Sequence, residues 1–468
     1  MPALRMLTTH TSPSPRARVL LYAPALSDLH FKQRHVDGEA LALHAHLRAA
    51  GHHSTLLDAY YRARRTTALD DVIAQQGPFD VLLVHLWTSD AYGPRLRSIA
   101  DELAATRARH QIPVVGFGPL ATSAATELRH HQAVDHTISL SQHPTAIKNA
   151  TVSAVMADAA AHLTGHTPLT ALTDTDVPYQ PDAVVSVSAS RGCRSRCTFC
   201  AYNADLGGGW TRLPMTAAVA DIAHLHHLTG ATRFAFADTD FGGTHAACAQ
   251  RAAELLDELH QRGLAGRLRI SLNIRSETLD PDILTVLAAA GVDVILIGAE
   301  SFNPDTLHRL YGKRQDVGHL HQVVAAADVA GITTVASYIL WHPWQSIEGL
   351  RLELAAIERF GRHRIPQFMA RSRLLVIPGT VAERHIRDAG LLDTAPFRRA
   401  FRFARPEVAD LYDALAAWFV QNVTPVLPQL SESRDDDLRV LAELKIAEWR
   451  WLTSTLGIPT VTAAGAAR

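Results

Sequence analysis

At 468 residues, 47% hydrophobic and 19% charged, the chain is too long for one ordinary core and suits two or three ordered domains. A formal net charge of −1 argues against a broad electrostatic footprint, so no nucleic-acid partner is expected. Four cysteines make no disulfide scaffold, and no run reaches the roughly 18 apolar residues of a membrane span, so a soluble, cytoplasmic protein without a membrane partner is expected.

The N-terminal part alternates strand and helix patterns. Arg18–Ala23 (RVLLYA) reads as a strand and Gly38–Ala50 as a helix ended by Gly51. Ser54–Asp58, Phe79–Leu86 and Pro113–Phe117 read as further strands, with a long helix over Arg95–Arg109. This order predicts a doubly wound, Rossmann-like α/β domain over residues 1–150. The 26 histidines are scattered, and pairs such as His52-His53 and His130-His131 fall in predicted surface helices or turns, without metal-ligand spacing. Residues 151–182 are expected to include a linker, because 165–182 are rich in Thr, Pro and Asp.

A second alternation starts at Ala183. Its expected strands are Val184–Ala189, Arg233–Asp238, Arg267–Asn273, Asp293–Gly298, Thr333–Trp341 and Gln367–Ile377. Six βα units with right-handed crossovers predict a partial (β/α)6 TIM barrel over residues 183–385. Polar residues follow the strands where barrel chemistry sits: Asp238, Asp240, Asn273, Arg275, Glu300, Ser301 and His342. Residues 386–468 turn helical, with Leu411, Leu415, Trp418 and Phe419 on one face.

Residues 190–203 read SRGCRSRCTFCAYN. Cys193, Cys197 and Cys200 form a Cys-x₃-Cys-x₂-Cys triplet directly after the barrel's first strand. Three thiolates on one loop can hold three irons of a cubane [4Fe–4S] cluster and leave the fourth iron open. A zinc site would need a fourth ligand nearby, and the next candidate, His224, lies on a predicted helix. Cys248 stands alone in a helical stretch and reads as a packed thiol.

The triplet, with Phe199 before its third cysteine, resembles the radical S-adenosylmethionine (SAM) superfamily. Supporting motifs follow in order: Phe236–Phe241 (FADTDF), Arg275, Ile297–Ser301 (IGAES), Lys313, Pro343 and Pro378-Gly379-Thr380. The resemblance implies that SAM chelates the open iron and is cleaved by one electron to a 5′-deoxyadenosyl radical, which abstracts hydrogen from substrate. It further implies cofactor contacts from Phe199, from Arg275 to the SAM carboxylate, and from Glu300 or Ser301 to the ribose or amino group. A reducing partner of flavodoxin or ferredoxin type is also implied.

Domain one resembles the cobalamin-binding domain that precedes the barrel in one large radical SAM subfamily, through its layout and Gly118–Thr122 (GPLAT). Asp28-Leu29-His30 is similar to the start of the histidine-on cobalamin motif, but Gln33 replaces its glycine. Phe117 replaces the first of a usual glycine pair, and Ser139–Gln142 (SLSQ) replaces a glycine-rich turn. A phenyl group where backbone contact is needed predicts a vestigial domain that no longer binds cobalamin.

The chain is also similar to radical enzymes of aminoglycoside antibiotic biosynthesis, notably the paromamine-type deoxygenase, a radical diol dehydratase. That likeness implies dehydration or deoxygenation of a small aminosugar substrate, with Asp238, Asp240 and His342 as acid–base candidates and a separate NADPH-dependent reductase as partner. Arg371 and Arg373, expected to share one strand face, suit a cationic sugar poorly. The alternatives are a cobalamin-dependent C-methyltransferase on the same barrel and a non-catalytic iron–sulfur protein.

Overall fold

The computed structural model describes residues 16–24, 35–59, 68–86, 93–138, 149–164, 166–177, 183–202, 209–430 and 435–458. In chain order the first domain contributes β1 (Arg18–Ala23), β2 (His35–Val36), α1 (Gly38–Ala49), β3 (His53–Asp58), α2 (Leu69–Gln76), β4 (Val81–His85), α3 (Pro94–His110), β5 (Val114–Phe117), α4 (Pro119–Ser123), α5 (Ala125–His130), β6 (His136–Ile138) and α6 (Ala150–Thr164). All strands but β2 form a five-stranded sheet in the order β3-β1-β4-β5-β6, every pair parallel. The near-continuous apolar strands RVLLYA and VLLVH are buried on both faces, as a parallel sheet between helices requires. The chain reverses direction across this sheet at β1, the crevice where doubly wound folds bind ligands.

The second domain runs β7 (Val184–Val187), β8 (Ser190–Gly192), β9 (Trp210–Arg212), α7 (Met215–Thr229), β10 (Arg233–Phe236), α8 (His245–Gln261), β11 (Arg269–Asn273), α9 (Pro281–Ala289), β12 (Val292–Glu300), α10 (Val317–Val329), β13 (Thr333–Tyr338), α11 (Ile347–Phe360) and α12 (Val381–Asp388). Its parallel sheet has six strands in the order β13-β12-β11-β10-β7-β2. The sixth is not the one the sequence suggests. Within 367–377 the chain forms a 3-10 turn at Met369–Arg371 and a single bridge between Trp341 and Arg373. The sheet gains its sixth strand instead at the other edge, where His35 and Val36 of the first domain pair with Val184 and Val185.

Residues 367–377 leave the sheet because other elements claim them. The Glu448 carboxylate accepts hydrogen bonds from the Met369 and Ala370 amides. Arg373 lies 4.1 Å over the Phe401 ring and 4.7 Å over that of Tyr412, and Arg371 lies 5.0 Å over Phe419, so the two arginines do not act from one strand face.

The described residues of the stretch expected to act as a linker are well packed. Val152, Val155, Met156 and Ala159 of α6 join the core of the first sheet. Leu169, Leu172 and Val177 join the barrel's core, and His166 and the Leu169 amide both bond Asp221 of α7. The C-terminal region opens with an antiparallel hairpin, β14 (Leu392–Ala395) and β15 (Arg398–Phe401), before α13 (Pro406–Asn422) and α14 (Asp435–Thr455). Among the described residues, no helix is long and apolar enough to cross a membrane.

Candidate active site

The cysteine loop leaves β8 at Cys193 and is clamped on two sides. On one side, the Ser190 hydroxyl donates to Asp238 at 2.8 Å and the Ala189 amide donates to the same carboxylate at 2.8 Å. On the other, the Thr198 amide donates to the Tyr311 carbonyl (2.9 Å), and its hydroxyl donates to the Leu310 carbonyl (2.6 Å). Gly312 makes the second contact possible. Its φ of +61° is in the left-handed region, and a Cβ there would stand 3.2 Å from the Arg196 carbonyl. Cys193, Cys197 and Cys200 are all partly buried, whereas Cys248 is fully buried in α8.

The structure accounts for each residue expected from the sequence. Asp238 is buried and its carboxylate is spent on the loop. Asp240 is also buried; its Oδ2 accepts from Arg275 Nε at 2.9 Å and lies 3.9 Å from Cys193 Sγ. The remaining arms of Arg275 donate to the Gly243 carbonyl (2.6 Å) and the Ser195 hydroxyl (3.3 Å). Arg275 thus ties the end of β11 to the cysteine loop. Phe199 packs edge-on against Tyr311, with ring centres 5.5 Å apart.

Glu300 and Ser301 are neighbours with different surroundings. Glu300 ends β12 at a register shift, with a φ of +63° that costs roughly 1–3 kcal/mol in a residue with a side chain. That turn brings its carboxylate to the Ser337 hydroxyl (3.2 Å) and to the Lys313 ammonium (3.5 Å). Gly298 keeps space between them, since a Cβ there would stand 2.6 Å from Lys313 Nζ. Ser301 points the other way. Its hydroxyl, the Tyr338 hydroxyl and the Phe302 amide all donate to the buried Glu353 carboxylate. His342 is buried beside Tyr311, and its Nδ1 has no hydrogen-bond partner. Burial alone pushes its pKa down to about 4, so the ring is neutral at physiological pH.

The partly exposed face of the sheet carries small or neutral side chains along the middle of its strands. Ala235 pairs in register with Ser271, and Leu296 pairs with Asn273 and Val335. Leu296 is 39% exposed although β12 is central to the sheet, so the barrel interior is open.

One buried residue that sequence reading passed over holds this architecture. Arg251 of α8 donates to the Ala189 carbonyl (2.8 Å), approaches Asp238 (3.8 Å) and lies 4.7 Å over Phe241. Burial holds the Asp238 carboxyl up at about 6, against hydrogen bonds from Ala189 and Ser190 and the Arg251 charge, which lower it. That value is above the unfolded one, so the folded chain binds this proton more readily and Asp238's penalty fades as pH falls through 6. Arg251→Met strands the carboxylate and is expected to cost about 3–5 kcal/mol near neutral pH. The deficit, read from urea unfolding, should shrink as pH falls towards and through about 6, where Asp238 becomes neutral; a deficit independent of pH would contradict this assignment.

The residues present fit the groups their pattern implies. Three thiols on one clamped loop suit a [4Fe–4S] cluster. Among the described residues, no three His, Cys, Asp or Glu side chains gather as a single metal ion requires. Residues 187–350 match the family model described as the radical SAM superfamily. No curated protein matches the chain.

Several solved structures share the fold. The radical S-adenosylmethionine methyltransferase TsrM from Kitasatospora setae, with cobalamin and a [4Fe–4S] cluster bound, is 17% identical over 81% of this chain and 80% of its own, with a TM-score of 0.59. The cobalamin-dependent S-adenosylmethionine radical enzyme OxsB, with aqua-cobalamin and S-adenosylmethionine bound, is 13% identical over 94% of this chain and 72% of its own, with a TM-score of 0.67.

Proposed function

We propose, from the match of residues 187–350 to the radical SAM superfamily, that this chain is a radical SAM enzyme that works with cobalamin, as a methyltransferase acting on a carbon of a small, largely uncharged molecule. The observation that carries the reading is how the first domain docks. The N-terminus of α1, at the ligand-binding edge of the first sheet, abuts β7 at Ser186 and reaches β8 through Glu39. A doubly wound domain is thereby turned with its binding crevice towards the cluster loop. The likeness to TsrM and OxsB spans both domains; both support the cobalamin part of the reading, and TsrM supports methyl transfer.

The expected obstacle, Phe117, is a packed side chain at the end of β5. Its ring is 1% exposed, lies within the core of the first sheet and stacks on His85 with centres 4.5 Å apart. That packing leaves the vestigial-domain expectation with less support at this position. Asp28, His30, Gln33 and Ser139–Gln142 lie outside the described residues.

When bound, the cluster and SAM supply the adenosyl radical, and cobalamin supplies the methyl group. The chain's own residues bind and orient. Cys193, Cys197 and Cys200 ligate the cluster, with Phe199 and Tyr311 packed behind the loop. Glu300, Ser337 and Lys313 present a carboxylate, a hydroxyl and an ammonium to the polar atoms of SAM. Ser301 supports that turn through Glu353 rather than touching the cofactor. Asp238 and Asp240 are engaged with the loop and with Arg275, so acid–base dehydration of an aminosugar has less support than methyl transfer. His342, neutral and with an unpartnered Nδ1, is suited to hydrogen-bond substrate rather than to store a proton.

Anaerobic reconstitution followed by absorbance titration with hydroxocobalamin tests this reading. One cobalamin per chain is expected and, once an added reductant has brought it to cob(I)alamin, transfer of a deuterated methyl group from labelled SAM to cobalt with release of S-adenosylhomocysteine. Absence of binding by a reconstituted protein that still cleaves SAM would return the chain to the radical-only class.

A further inference from the structure

A charged link crosses between the domains immediately before the cluster loop. Arg191 lies two residues before Cys193, and its guanidinium donates to the Glu39 carboxylate of α1 at 2.7 Å. His162 Nε2 of α6 meets the same carboxylate oxygen at 3.2 Å and lies 3.5 Å from the guanidinium. The setting is largely shielded from solvent: the His162 side chain is 1% exposed, and the Glu39 and Arg191 side chains 21% and 19%. Burial pushes the Glu39 carboxyl up, yet Arg191 and His162 outweigh it and hold the group well below the usual carboxylate range.

Glu39 is itself fixed from the first sheet. Asp37 caps α1 by accepting from the Glu39 and Ala40 amides (3.1 and 3.0 Å). Its other carboxylate oxygen accepts from His85 Nδ1 at the end of β4 (2.6 Å), and its amide donates to Asp58 at the end of β3 (2.9 Å). The helix is seated against β7 because position 38 has no side chain; a Cβ there would overlap the Ser186 carbonyl and stand 2.8 Å from Ser186 Cβ. A continuous set of contacts therefore runs from the binding edge of the first sheet, through His85, Asp37, Glu39 and Arg191, to the first cluster cysteine.

We propose that Glu39 and Arg191 are positioning residues that hold the Cys193 end of the cluster loop against the first domain and, as a matched charge pair in a partly buried interface, set the cluster's reduction potential. Reduction adds one negative charge to the cluster, so a nearby uncompensated cation favours it and an uncompensated anion opposes it. Whether cobalamin binds does not enter this argument, and the test needs neither cobalamin nor substrate.

The test uses the full chain. In the reconstituted protein without cobalamin, Glu39→Gln leaves the Arg191 charge unmatched and should raise the midpoint potential. Arg191→Gln leaves the carboxylate unmatched and should lower it, while Arg191→Lys and the double variant Glu39→Gln/Arg191→Gln should return close to the parent value. If loosening of the loop were the whole effect on the potential, both single variants would move in one direction, and that result, or no movement in either, overturns the proposal. Hydrogen exchange of the protein before iron loading gives a readout that survives poor cluster assembly. Amides across residues 190–200 should exchange about tenfold faster in each single variant, as loss of roughly 1.4 kcal/mol of local stability implies. Unchanged exchange there would reject the link.

Discussion

Cys197→Ala is expected to remove the cluster and end SAM cleavage. Its loss should exceed the roughly 10–100-fold range typical of changes outside the ligand shell. The loop is fixed on both sides of this residue: Gly312 lies beneath Arg196, and Thr198 bonds the carbonyls of Leu310 and Tyr311. Those contacts hold position 197 in place, and His342 is packed edge-on to the Tyr311 ring. The measurements are iron content, visible absorbance and 5′-deoxyadenosine formed under reduction. Cys248→Ala is the matched control, because its thiol is buried in α8 among Ala252, Leu255 and their neighbours. It should keep the cluster and lose about 1 kcal/mol of stability. A Cys197→Ala protein that retained a full cluster and cleaved SAM would refute the ligand assignment.

What the sequence made readable was chemistry carried by spacing. The cysteine triplet, the IGAES turn and the polar residues at strand ends are local patterns, and each has a counterpart in the site. The α/β alternation was readable for the same reason, since buried parallel strands are short apolar runs between helical periods. Failures came where a distant partner decided the outcome. Residues 367–377 alternate like a strand, but Glu448, some eighty residues later, captures the amides of Met369 and Ala370. His35–Val36 is too short to read as a strand and becomes one because β7 offers an open edge. Phe117 was judged by a substitution pattern, while its orientation depends on His85 across the sheet. Asp238 and Asp240 carry the right groups for acid–base work; only the positions of Ala189, Ser190 and Arg275 show that those groups are already engaged. Arg251, Glu353 and Glu39 gave no local signal, because a buried charge is identified by what surrounds it.

Gly38→Ala sets local preference directly against tertiary contact. Within a helix, alanine is favoured over glycine by roughly 0.5–1 kcal/mol, so helix propensity alone predicts a more stable protein. The contact with β7 predicts the reverse. Position 38 opens α1 and is buried, and a Cβ would overlap the Ser186 carbonyl, a backbone group that no rotamer change can move. Either α1 withdraws from β7 or β7 shifts against β10, with which it pairs through Val185, Ser186 and Val187. Withdrawal of α1 also breaks the His35–Val36 pairing and carries Glu39 away from Arg191. Overpacking of this kind costs about 1–3 kcal/mol, and more where backbone must move, so the variant should be net destabilised despite its helical gain. Thermal unfolding read separately in the two domains should show the first domain losing its coupling to the second. The cysteine loop should become more open to hydrogen exchange even though no residue of that loop has been altered. A Gly38→Ala protein as stable as the parent, with an unchanged loop, would mean that the two domains are not held at this contact, and the case for a crevice aimed at the cluster would fail with it.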